Sequence, residues 1–153
     1  MANQTQRPDT ALHNTSHLMQ YHDLIESIVA AMDARDAYTA KHSDRVADMV
    51  LVLATALDLS EDETTLLHMA AHLHDIGKIA VPDSVLRKAG PLTSPEWEEM
   101  RRHPITGYEI LRKVDDFKEI AVLVRHHHER WDGRGYPDGL RGADIPLLSL
   151  IHI

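Results

Sequence analysis

The sequence predicts an all-α fold, and three observations carry that reading. Apolar residues recur at spacings of three and four, helix start and stop signals bracket those runs, and no segment alternates apolar and polar residues as a half-buried strand would. The first helix is predicted from Leu18, with Leu24, Ile25, Ile28, Val29 and Met32 on its apolar face. Residues 1–17 before it are polar and aperiodic and read as a flexible lead-in. A second helix is predicted over residues 39–57, with Val46, Met49, Val50, Leu53 and Leu57 facing inward. Ser60 and Glu63 form a capping-box pair that opens a third helix through Leu66, Leu67, Ala70 and Leu73. That helix should end near His74, with Gly77 supplying a left-handed turn.

Pro82 and Asp83 open a short helical piece that runs to about Lys88. Further on, Thr93 with Glu96, or Ser94 ahead of Pro95, starts another helix, which His103-Pro104 should end. One more helix is expected to about Lys113, and a last one through Phe117, Ile120, Ala121, Leu123 and Val124 into His126, His127 and His128. The stretch "WDGRGYPDGLRG" holds four of the seven glycines and reads as a structured loop.

Composition narrows the function. With 153 residues the chain has the size of one domain with a real core. Its formal charge of −8 disfavours a nucleic-acid polymer as partner, because phosphate neutralisation needs a basic face. A small anionic substrate is compatible with that charge if cations offset it locally. Cysteine is absent, which removes disulfides and thiolate metal sites. No apolar stretch reaches membrane-spanning length and "MANQTQRPDT" has no signal-peptide core, so the expectation is a cytoplasmic protein with no membrane partner.

Histidine is the unusual component, with 12 residues. A single helical histidine is usually half-exposed or a hydrogen-bonded core residue, and that ordinary role is the expectation for His13, His17, His22, His68, His72, His126 and His152. His42, His74, His103 and His127 or His128 differ, because each lies at a helix end or beside a buried stripe, and Asp75 adjoins His74. Neighbours on a regular helix point about 100° apart, so His74 and Asp75 can serve one site only where helical geometry ends. Imidazoles and a carboxylate without thiolate suit iron, manganese, zinc or nickel. Five histidines and one aspartate exceed one tetrahedral ion and match two ions sharing a carboxylate.

"HLHDIGK", preceded by "HSDRV" and followed by "VPDSVLRKAGPLTSPEWEEMRRHP" and "HHHERWDGRGYP", resembles the HD-GYP family of HD-superfamily metal phosphohydrolases over residues 20–147. The resemblance implies a multi-helix bundle with a glycine-rich GYP loop that hydrolyses cyclic di-GMP through a metal-activated water. It implies His42, His74, Asp75, His103, His127 and His128 as metal ligands, with Asp75 bridging. Lys78 would hold a substrate phosphate, and Tyr136 and Arg134 would border the substrate cleft, with Arg130 and Arg141 adding to a basic loop. The resemblance also implicates this loop in docking diguanylate cyclase domains. Glu129 is a candidate for orienting a ligand histidine.

Two positions depart from the family pattern. Tyr38 stands where three-metal members carry a glutamate, so two ions are expected, iron or manganese. Residues 148–153, "LSLIHI", replace the helix that leads to a further aspartate, so residues 18–153 read as a domain with its last helices missing. Other nucleotides as substrate, or an inactive module that binds nucleotide or a cyclase domain, are the competing readings.

Overall fold

The computed structural model describes residues 15–35 and 42–150. Tyr38, His13, His152 and the predicted start of the second helix lie outside them. Eight α-helices are described: α1 (His22–Arg35), α2 (His42–Ala56), α3 (Glu61–Leu73), α4 (Asp83–Leu86), α5 (Ser94–Met100), α6 (His103–Leu111), α7 (Lys118–His126) and α8 (Leu147–Leu150). Short 3-10 turns at Thr15–Tyr21, Ile76–Ala80, Asp115–Phe117 and Gly142–Asp144 join or precede them. There is no strand among the described residues, and none of their helices is long and apolar enough to cross a membrane.

The centre of the bundle is α3. Ser60 caps it as the sequence predicts, its hydroxyl accepting from the Glu63 N–H while the Glu63 carboxylate accepts from the Ser60 N–H. Its second half, from Leu67 on, is buried nearly all round except at His68, because α1, α2, α7 and the Thr15–Tyr21 turn all pack on it. Ile25 and Val29 of α1 meet Met69, Ala70 and Leu73, and Ile120, Ala121, Leu123 and Val124 of α7 close the same core.

The expected face of α2 is rotated. Ser43, Ala47, Val50 and Ala54 are its buried residues, whereas Met49, Leu53 and Leu57 are exposed. The small residues at these spacings let α2 lie close against Leu67 and Ala71 of α3, and close approach outweighs side-chain bulk in choosing the face. On α1 the outer part of the predicted stripe, Leu24 and Ile28, is likewise exposed.

The turn after α3 also differs from expectation. Gly77 is not left-handed but lies within the Ile76–Ala80 3-10 turn. A Cβ there would collide with the His103 carbonyl and the Gly107 nitrogen. Glycine is needed because two backbones touch, not because the chain reverses. Likewise, His103-Pro104 does not end a helix. α5 stops at Met100, and His103 opens α6 with Pro104 in its first turn, where the missing N–H costs nothing.

Candidate metal centre

The end of α3 answers how adjacent residues reach one point. His74 keeps helical angles, but Asp75 swings to φ −95°, ψ 4°, leaving the α-helix for the 3-10 turn. As a result His74 Nε2 lies 3.0 Å from Asp75 Oδ2. The Gly77 contact then sets the first turn of α6 beside the doublet, with His103 Nε2 3.5 Å from Asp75 Oδ1. The carboxylate therefore presents one oxygen to His74 and the other to His103.

Two ligand groups form around it. His42, His74 and Asp75 bring one donor atom each within 4.8 Å of one another, and so do His103, His127 and His128. All six residues expected from sequence converge. His127 and His128 both contribute because α7 ends at His126 and the chain loosens there.

Hydrogen bonds set the rings for metal. The Nδ1–H groups of His74, His103 and His127 donate to the carbonyls of Ala71, Met100 and Val124, each three residues back. That fixes the tautomer and turns each Nε2 lone pair inward, the arrangement usual for metal-ligating imidazoles. His103 Nε2 and His127 Nε2 then face each other at 3.2 Å. Two lone pairs at that distance repel unless a cation draws both. Two nitrogens bound at about 2.1 Å to one ion stand roughly 3.0–3.4 Å apart, so the spacing fits.

Electrostatics agrees. Burial pushes His127 well below the usual imidazole range, helped by His128, His74 and His103. His128 is pushed to about 4, again chiefly by burial and then by His103. His103 and His42 are lowered by burial as well. Neutral rings keep their lone pairs available at neutral pH. For Asp75, burial alone would raise the carboxyl, but His74, Lys78 and His103 outweigh it and hold it well below the carboxylate range. The donor set fits divalent metal.

Lys78 Nζ sits 2.8 Å from Asp75 Oδ2, so the lysine is at the centre rather than in bulk solvent. Tyr136 stacks on His128 with ring centroids 4.6 Å apart and 20° between planes, and burial pushes its phenol up to about 12. Two of the loop arginines make their described contacts elsewhere, and Arg134 is described only through its backbone. Arg130 pairs with Asp132, the exposed Arg134 is held by its backbone N–H on Asp132, and Arg141 packs beside Gly133. The guanidinium over Tyr136 belongs to Arg101, 5.5 Å from the ring centroid, a residue the sequence reading passed over.

Glu129 corrects another expectation. It orients no described histidine. Fully buried, it accepts from the backbone N–H groups of Asp138 (2.7 Å), Gly139 (3.0 Å) and Leu140 (3.0 Å), folding the GYP loop back on itself. Gly135 lies against the Glu129–Arg130 backbone, where any Cβ would collide. On the opposite side Arg35, also missed, donates to the carbonyls of Lys78, Ile79 and Val81 and pairs with Asp83. Its only sequence signal is its place in the last turn of α1.

Residues 22–151 match the HD domain family. A cyclic di-GMP phosphodiesterase response regulator from Xanthomonas campestris is 45% identical over 84% of this chain and 35% of its own length. A 3'3'-cGAMP-specific phosphodiesterase from Vibrio cholerae is 42% identical over 84% of this chain and 25% of its own. A cyclic di-GMP phosphodiesterase from Thermotoga maritima is 39% identical over 84% and 36%. The chain thus spans a quarter to about a third of these relatives. Among solved structures, Bd1817, an HD-GYP protein from Bdellovibrio bacteriovorus, superimposes with a TM-score of 0.66 at 22% identity, over 94% of this chain and 53% of that one, which shows the fold. Divalent-metal binding goes with the HD domain, and this chain carries His/Asp clusters of the kind that could hold an ion. On the match over residues 22–151, with the doublet and its histidines gathered as the motifs require, the chain belongs to the HD domain family.

Proposed function

We propose that this chain is the catalytic domain of a metal-dependent cyclic di-GMP phosphodiesterase. The observation that carries the proposal is Asp75, whose two oxygens face separate imidazole groups while Lys78 lies on one of them. We assign His42, His74 and Asp75 to one ion, His103, His127 and His128 to a second, and Asp75 as the bridge. When bound, the two ions, iron or manganese, supply Lewis acidity toward a phosphodiester and acidify the attacking water.

The residues do the rest. Asp75 supplies the negative charge among neutral imidazoles. Lys78 turns from Asp75 toward a non-bridging phosphate oxygen and offsets charge as it builds there. Tyr136, a phenol held protonated, braces His128 and offers a hydrogen-bond donor at the loop side. Arg101 and the exposed Arg134 meet the substrate's remaining phosphate or guanine face. Residues 18–153 make up the HD-GYP-like domain behind a lead-in of residues 1–17, in the cytoplasm, and the loop is the surface for a diguanylate cyclase domain.

A second substrate, 3'3'-cGAMP, is favoured by the names of relatives 42% and 39% identical. The test is hydrolysis of both dinucleotides by anaerobically purified protein with known metal content. Faster turnover of cyclic di-GMP supports the proposal, and preference for 3'3'-cGAMP selects the second reading. Failure to cleave either, with both ions bound, overturns both.

A further inference from the structure

The histidines assigned ordinary roles hold a second constellation. His68 and His72 are four residues apart on α3 and share a face. His22, the first residue of α1, is brought against them, so that one nitrogen from each of the three rings lies within 4.8 Å of the others. The ring centroids are 4.7 Å apart for His68–His72, 5.5 Å for His22–His72 and 5.7 Å for His22–His68. This face is not that of the Asp75 centre. His72 and His74 are two residues apart on one helix, so they point about 200° apart.

A trio of stacked aromatic rings would ordinarily be packing. Two observations argue otherwise. His68 Nδ1 and His72 Nδ1 are both buried with no hydrogen-bond partner, although the His72 side chain is only 5% exposed. A buried polar atom without a partner is costly, and two at one spot call for a common ligand. The second observation is charge. Glu26 Oε1 lies 3.6 Å from His22 Nδ1, and Asp44 Oδ1 lies 3.9 Å from His72 Nδ1, so two carboxylates border the cluster just outside hydrogen-bond range. Three imidazoles and two carboxylates converge from three helices.

We propose that His22, His68 and His72 form a separate metal site for a divalent ion of the zinc class, with Glu26 as the nearest carboxylate to complete it. Three nitrogens and one oxygen without thiolate suit zinc, cobalt or nickel in four-coordinate geometry. The site ties the start of α1 to the middle of α3, so its bound ion acts as a structural clamp. The proposal does not depend on the phosphodiesterase reading.

The test counts zinc held by the whole chain and by its His22→Gln/His68→Gln variant after equilibration and desalting. The unaltered chain should retain one equivalent more, with the helical circular dichroism of the two proteins alike. That difference is independent of how many ions the Asp75 centre takes. Equal counts overturn the site. If the double substitution unfolds the chain, His22→Gln alone decides, since its side chain is 25% exposed at a helix start. It should weaken zinc binding at least about tenfold. Zinc-edge anomalous density from crystals of the unaltered protein should peak about 2.0–2.1 Å from Nδ1 of His68 and His72. Zinc at the Asp75 centre with none between these rings would likewise dismiss the clamp.

Discussion

The two walls of the candidate metal centre are held by opposite charges doing the same job. On the His-Asp side, the Arg35 guanidinium gathers three carbonyls of residues 78–81. On the GYP side, the Glu129 carboxylate gathers three N–H groups of residues 138–140. The difference is burial. Arg35 is 29% exposed and shares its charge with Asp83, whereas Glu129 is fully buried. Water can replace much of what Arg35 does and little of what Glu129 does. The lesson is that the loop carrying Tyr136 depends on one interior side chain, while the segment carrying Lys78 has backbone, glycine packing and arginine in reserve.

Substitutions can break that contrast. Glu129→Ala should have the largest effect, since three N–H groups lose a charged acceptor. A loss of roughly 3–5 kcal/mol is expected, read as a fall of about 10 °C or more in the unfolding midpoint. Glu129→Gln keeps the shape and one acceptor oxygen, so it should recover about half of the loss. A midpoint within a degree or two of the unaltered protein in the alanine variant would remove the asymmetry altogether.

Gly77→Ala comes next. Its methyl group must displace the first turn of α6, at an overpacking cost of roughly 1–3 kcal/mol. Because that turn carries His103, metal content should fall more than stability does. Metal analysis beside thermal unfolding checks this, and normal metal content would mean that the His103 turn is not set by this contact.

Arg35→Ala should be mildest, about 1–2 kcal/mol, with metal retained and turnover reduced through the loosened Lys78 segment. Should Arg35→Ala prove as damaging as Glu129→Ala, exposure is not what separates the two walls.

These particulars show what the chain disclosed in advance. The capping boxes of Ser60 and Thr93 are local chemistry, written within four residues, and both are present in the structure. The six candidate ligands were marked in the sequence by helix ends and a family pattern, and the structure gathers them into two groups of three. The buried face of α2 was not, since it follows from how closely Ala47 and Ala54 let α3 approach. Gly77 was recognised as necessary but for the wrong cause, because its neighbour is a backbone 26 residues away. The partners of Arg35 and Glu129, and the Tyr136 ring under Arg101, come near only in the folded chain.

The central claim is that one carboxylate joins two metal half-sites. Metal analysis of Asp75→Ala against the unaltered chain, both reconstituted anaerobically with manganese, tests it most directly. The account predicts two manganese ions at the Asp75 centre before substitution and loss of both after it, whatever zinc the His22–His68–His72 site holds, because each half-site loses its shared anionic ligand while the fold persists by circular dichroism. Retention of a full complement by Asp75→Ala would contradict the account.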